Sequence, residues 1–276
     1  MTYIKFNSIL YSSCLFLLII FFSCKSKRDM ATESTTNYSW NGKKCAIVLT
    51  YDDALNVHLD NVIPELDVYG FKGTFYVPTE SNDFKSRASE WQAVASNGHE
   101  LGNHTEFHPC AGKSKGRAWV HADSDLDTYS YDQIIDEIQR ANKKLTALDG
   151  KKERTYAYTC GDTSVLEISY VPGVKPLFVS ARGVYGAMND LETLDRYDLK
   201  AYSMNGQTAD DMKALVDQAI LEERLLIFLF HGVGGEHHLN ISKKEHKKLL
   251  KYIKKKEKEI WVDSALEISK FIKEKT

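Results

Sequence analysis

From residue 40 onward, short apolar runs alternate with longer stretches in which apolar residues recur every three or four positions. Strand-like runs predict strands at Cys45–Tyr51, Gly73–Val77, Glu100–Asn103, Thr155–Tyr158, Leu177–Ala181, Leu199–Met204, Leu225–Phe230 and Ile260–Val262. The periodic stretches predict helices at Asn56–Tyr69, Glu90–Asn97, Tyr131–Leu148, Ala209–Glu223, Ser242–Glu257 and Ser264–Lys273. Gly70, Gly98 and Gly150 stand where helices should stop, because glycine adopts the left-handed C-cap conformation without penalty. Strand–helix alternation of this kind implies a parallel sheet covered by helices. No internal repeat is visible.

The N-terminus has a different pattern. Lys5 precedes an apolar run from Ile9 to Phe22, which ends at Ser23-Cys24 and the polar segment Lys25-Ser26-Lys27-Arg28. The run has the length of a signal-peptide core and is short for a membrane-spanning helix. A small residue before a cysteine resembles a bacterial lipobox, with Phe21 in place of the more usual leucine. On that reading residues 1–23 are a lipoprotein-type signal peptide and Cys24 carries the lipid. The protein is then exported and held on the periplasmic side of a bacterial membrane, expected to be the outer membrane, since no acidic run follows Cys24. A plain secretory signal or an uncleaved anchor is the alternative, and all three place the domain outside the cytoplasm. Residues 24–39, rich in Ser and Thr, read as a flexible tether. Residues 40–276 are long enough for one sizeable core.

Charge narrows the choice of partner. Formal net charge is −2, without the basic footprint that nucleic acid requires. The lysine-rich stretch from Lys243 to Lys258 carries Leu249, Leu250 and Ile253 at helical spacing, so it reads as the solvated face of an amphipathic helix.

Candidate chemistry sits at the ends of three strand-like runs. Asp52-Asp53 ends the first, His104-Thr105-Glu106-Phe107-His108 follows the third, and His231 follows Leu225–Phe230. An Asp-Asp pair alone is usually a turn, and a lone HxxxH is usually two surface histidines. Together, at the ends of parallel strands, they match the layout of an α/β barrel active site. Asp53, His104 and His108 would offer one carboxylate and two imidazoles to a borderline divalent metal such as zinc, leaving positions open. Asp52, beside that metal, would take a proton from the attacking water.

Thr50-Tyr51-Asp52-Asp53, His104-Thr105-Glu106-Phe107-His108 and Leu229-Phe230-His231 resemble the motifs of the NodB-homology polysaccharide deacetylases, carbohydrate esterase family four. The lead-in Gly98-His99-Glu100-Leu101-Gly102-Asn103 is also typical of it, and the resemblance runs from Trp40 to Ile272. It implies a distorted (β/α) barrel of about seven parallel strands, one divalent metal (zinc, with cobalt or nickel as alternatives) and an acetylated oligo- or polysaccharide substrate. The family's third motif looks like Tyr156-Ala157-Tyr158-Thr159-Cys160-Gly161, which assigns the Cys160 N–H to the oxyanion. His231 would protonate the leaving amine or alkoxide, and Leu229 would line the acetyl-methyl pocket. Thr105 would brace the histidine loop. The chain departs from the pattern at Ala157, where many members carry an arginine that orients the catalytic aspartate. Arg182 either supplies that charge from the neighbouring strand end or is an ordinary surface arginine. Arg154 is expected to face away.

The resemblance implies either N-acetyl or O-acetyl hydrolysis, and we expect a polysaccharide N-deacetylase, with an O-acetyl esterase acting on a xylan-type glycan as the alternative. A glycan-binding module that kept the fold and lost turnover is the alternative of another class, and the missing third-motif arginine is the one feature that favours it. Oligomeric state is not legible. Trp119 and Tyr129, in the aperiodic segment after His108, would stack on sugar rings or belong to a plain surface loop. Cys110 and Cys160 each follow a motif and are either bridged or two free thiols. Cys45 reads as a buried small hydrophobe. His58 is expected to face solvent, with a supporting role near the rim as the alternative, His99 to be structural, and His237 and His238 to touch substrate or water.

Overall fold

The computed structural model describes residues 40–275. The expected signal segment (1–23) and tether (24–39), with Cys24, lie outside the described residues. The sheet is parallel throughout and contains β1 (Cys45–Asp52), β2 (Thr74–Val77), β3 (Glu100–Asn103), β4 (Tyr156–Ala157), β5 (Ala181–Arg182), β6 (Tyr202–Ser203) and β7 (Leu225–Phe230). Their spatial order is β5-β4-β3-β2-β1-β7-β6, and β8 (Ile260–Val262) pairs with the first half of β1. A parallel bridge between Arg182 and Leu199 connects β5 to the segment entering β6, so the sheet curls towards a barrel. This is the distorted barrel of about seven strands expected from the sequence.

The two faces of β1 show why both the strands and the helices were legible. Cys45, Ile47, Leu49 and Tyr51 point outward into a core built with the covering helices α1 (Ile63–Tyr69), α2 (Ala88–Ser96), α3 (Tyr131–Asp149), α4 (Ala209–Glu222) and α5 (Lys243–Lys255). Ala46 and Val48 point inward, where Leu225, Ile227 and Leu229 of β7 meet Trp40 and the last helix, α6 (Ala265–Lys275). Period-two alternation with both faces buried produces the continuous apolar runs of a parallel strand. At the interior end of α6 the buried Glu100 carboxylate accepts hydrogen bonds from Thr74 Oγ1, Thr155 N, Thr155 Oγ1 and Leu266 N, each 2.8 Å. The α6 N-terminus thus helps to satisfy an acid that would otherwise be costly to bury.

Several local expectations need correction. Of the expected strand Leu177–Ala181 only Ala181 joins the sheet, as the first residue of β5. A helical turn at Val171–Val174 takes the Leu177 N–H onto the Val174 carbonyl at 3.0 Å, and Pro176 has no N–H to give. A helix at Asn82–Ser86 and a hairpin pairing Ser164–Val165 with Ile168–Ser169 were not anticipated. Tyr129 is 3% exposed within a cluster with Leu126, Ile134, Tyr156 and Tyr170, so it offers no face to a sugar. Arg154 does face away from the strand ends that carry the histidines, bonding the Leu101 carbonyl at 2.7 Å and Asp149 at 3.1 Å.

Candidate active site

A cavity of about 1070 Å³ opens where the strands end, and Asp52, Asp53, His104, His108, Cys160, Trp119, His231 and His237 all line it. Asp52 is the last residue of β1. Asp53 and Ala54 then enter the left-handed region with φ of 79° and 51°, and the Asp53 N–H bonds the Tyr76 carbonyl at 3.1 Å. Successive strand residues would point to opposite faces. The turn instead brings both carboxylates to one cavity.

His104 to His108 form a tight loop rather than a helical turn. Thr105 and His108 have φ of 68° and 55°. Thr105 Oγ1 accepts from the His108 N–H at 3.0 Å, while Glu137 accepts from the N–H groups of Glu106 and Phe107 at 3.2 and 2.9 Å. Positive φ at non-glycine residues is costly, and here it recurs at Asp53, Ala54, Thr105, His108 and Cys160, all in or beside the cavity.

The loop places His108 Nε2 3.4 Å and His104 Nε2 3.8 Å from Asp53 Oδ1. Ligand atoms of the three residues lie within 4.8 Å of one another. His104 Nδ1 donates to the Ala157 carbonyl at 2.9 Å, which leaves Nε2 with its lone pair turned to the carboxylates. On the far side of Asp53, His231 Nε2 and His237 Nε2 each lie 3.9 Å from Oδ2.

Arg182 is not a surface residue. It is 1% exposed and ion-paired with Asp52, and its guanidinium lies 4.6 Å from the centre of the Tyr76 ring. Burial alone would raise the Asp52 carboxyl, but the Arg182 charge and the His104 and His231 imidazoles override it and hold it below the usual range. For Asp53 burial also pushes up, and His108, His231 and His104 together bring it down to about 2. Burial brings His104 down to about 4, so that ring is neutral near neutral pH, and burial lowers His231 as well, against the pull of Asp52 and Asp53.

His58 takes the supporting position near the rim and not the solvent-facing one expected first. It is completely buried and its Nε2 donates to the His231 carbonyl at 2.8 Å, supporting the loop that carries His231. Its apolar neighbours Val57 and Leu59 were the available signal. Trp119 is 57% exposed on the cavity wall. Leu229 is fully buried among the barrel-interior residues, beneath the site.

Cys160 has φ 56° and ψ 9° and forms a disulfide with Cys110, closing the choice between bridge and free thiols. Arg117 reinforces the link between the two loops by pairing with Asp162 and bonding the Cys160 carbonyl at 2.9 Å. His108, Cys110 and Cys160 also cluster, but the bridge removes both sulfurs as thiolate ligands. Buried Cys45 is pushed up to about 12, an inert thiol as expected.

A polysaccharide deacetylase profile matches residues 40–170, which include every motif residue except those of the His231 segment. Over that stretch the chain matches the polysaccharide deacetylase family. It is 28% identical over 120 residues to the peptidoglycan-N-acetylmuramic acid deacetylase PdaA of Bacillus subtilis (strain 168), an overlap of 43% of this chain and 39% of that protein. The chain therefore spans well under half of that relative. In fold it is similar to a polysaccharide deacetylase structure from Mycobacterium smegmatis, with TM-score 0.61 at 13% identity over 84% of this chain and 91% of that one. It is also similar to a family 4 acetyl xylan esterase from Clostridium thermocellum in complex with a cobalt ion, with TM-score 0.51 at 21% identity over 81% and 89%.

Proposed function

We propose that this deacetylase-family chain is a divalent-metal-dependent hydrolase that removes acetyl groups from carbohydrate, with N-acetyl sugars as its main substrates. The observation that carries this reading is the convergence of Asp53, His104 and His108. Neither imidazole is hydrogen-bonded to Asp53, with separations of 3.4 and 3.8 Å. Two ligand atoms each ~2.1 Å from one tetrahedral ion stand roughly 3.4 Å apart, so the spacing fits a shared metal. One carboxylate and two imidazoles suit zinc first, with cobalt or nickel as alternatives.

When bound, the metal would supply Lewis acidity toward the acetyl carbonyl and lower the pKa of water. Asp52 accepts the proton of the attacking water, a role that requires it ionised, and its ion pair with Arg182 favours that form. The Cys160 N–H is assigned to the oxyanion, on a loop pinned by the disulfide and by Arg117. His231 delivers a proton to the departing nitrogen or oxygen. Trp119 offers an exposed indole face for a sugar ring.

The kinship to an N-acetylmuramic acid deacetylase supports amide substrates, and the fold shared with an acetyl xylan esterase keeps ester hydrolysis as the second reading. Lipidation at Cys24 and placement outside the cytoplasm complete the proposal. Acetate release from acetylated glycans, with and without chelation, tests it.

A further inference from the structure

His237 is not used by the mechanism above, yet its surroundings define its protonation pattern and aim. The loop that carries it is tied down on several sides. The Gly232 N–H bonds the Leu239 carbonyl at 2.9 Å, the Gly235 N–H bonds Asn240 Oδ1 at 2.9 Å, and the Glu236 carboxylate accepts the Val57 N–H at 2.8 Å. Within this loop the Leu239 N–H donates to His237 Nδ1 at 3.1 Å. The Leu239 carbonyl is farther, at 3.4 Å. An amide N–H can only donate, so Nδ1 keeps its lone pair and the ring proton sits on Nε2.

That Nε2–H faces the cavity. Its nearest carboxylate, Asp53 Oδ2, is 3.9 Å away, beyond hydrogen-bond reach. The His237 ring lies flat against His231, with centroids 4.6 Å apart and 12° between planes. Both Nε2 atoms converge on the same side of Asp53. With its lone pair already engaged, His237 is a standing hydrogen-bond donor and does not replace His231 as acid.

The geometry points to His237 as a specificity-determining residue that recognises, through Nε2–H, a ring hydroxyl beside the acetylated position of the sugar. This rests on the deacetylase reading. If His231 serves the departing atom on one sugar carbon, a donor one ring-thickness away meets a substituent on a neighbouring carbon. The Cys160 N–H is already assigned to the oxyanion. Ligation of the metal by His237 would require loss of its Nε2 proton or of the Leu239 bond.

Two variants separate the donor from the flat ring. His237→Phe keeps a ring against His231 and removes the donor, whereas His237→Gln restores an N–H on a flexible chain. Each is measured with an N-acetylglucosamine oligomer and with an aryl acetate that has no hydroxyl, alongside metal content. Affinity for the deacetylated oligomer is read by calorimetry. His237→Phe is expected to keep its metal and lose about tenfold in kcat/KM on the sugar, mostly through KM, the loss expected for one hydrogen bond to substrate. On the aryl acetate its penalty should be several-fold smaller, and His237→Gln should recover most of the sugar activity. Oligomer affinity should fall in His237→Phe and recover in His237→Gln. A Phe variant equal to wild type in sugar turnover and affinity would overturn the assignment. So would equal losses on both substrates, or loss of metal. If the wild-type protein turned over neither substrate, the functional reading would fail, while the oligomer affinities would still decide the role of His237.

Discussion

Ala157 and Arg182 are register partners on the adjacent parallel strands β4 and β5, and the Arg182 guanidinium reaches the Asp52 carboxylate. The family's third-motif arginine is missing at Ala157, but a cation arrives at Asp52 from the residue directly opposite. The departure at Ala157 therefore leaves Asp52 ion-paired and weakens the case for a non-catalytic module.

This relationship can be tested by moving the charge. Arg182→Met is expected to lower kcat about 10²-fold, the lower end of what a positioned base contributes. Without the cation burial dominates, so the Asp52 carboxyl should rise and the acidic limb of the kcat/KM–pH profile should move to higher pH. Adding Ala157→Arg to that variant should restore part of the loss. Steady-state kinetics against pH, with circular dichroism to confirm folding, checks both.

His231 carries the question of bond type. An amide intermediate stalls unless the departing nitrogen is protonated, whereas an activated aryl oxide leaves unaided. General acid catalysis contributes ~10²–10⁴-fold. His231→Ala should therefore cost near the upper end of that range on an N-acetyl sugar and little on an aryl acetate. Equal penalties would mean that His231 positions substrate instead of protonating it.

Two buried histidines outside the proposed ligand set, His58 and His99, predict a pH dependence of stability. Burial brings both His58 and His99 down to about 4 from an unfolded value of 6.5. The folded state therefore holds fewer protons than the unfolded chain between those values. Their stabilisation is complete above pH 6.5 and is lost as the pH falls through 4. Two such groups together contribute a slope of about 2.7 kcal/mol per pH unit within that window. His99→Gln should reduce that slope by half, as measured by urea unfolding of metal-replete protein.

The chain's pattern reveals most of the fold and the centre of the site, for one reason. Parallel strands buried on both faces write continuous apolar runs, and the polar residue ending each run lies on the rim; Asp52 and His231 are of this kind, whereas His104 follows the short strand Glu100–Asn103, which buries a glutamate and an asparagine. The rest depends on tertiary geometry. β4, β5 and β6 contribute only two residues each to the ladder, too few for a pattern. The direction of Arg182 follows from its register with Ala157, which no local signal encodes. His237 follows the glycines 232, 234 and 235, whose freedom hides where the loop points. Tyr129 looked like a sugar platform because its aperiodic segment concealed its packing on Leu126 and Tyr156.

The central claim is that Asp53, His104 and His108 hold the metal and Asp52 uses it. The most direct measurement is acetate release from an N-acetylglucosamine oligomer, with metal content read on the same samples, for wild-type protein, Asp52→Asn and Asp53→Asn. Wild-type protein should bind about one ion per chain, lose activity on chelation and regain it with zinc or cobalt. Asp52→Asn should keep the ion and lose most turnover, because an amide cannot accept the proton; Asp53→Asn should lose the ion itself. Full activity in metal-free protein, or equal loss of metal from both variants, would contradict the account.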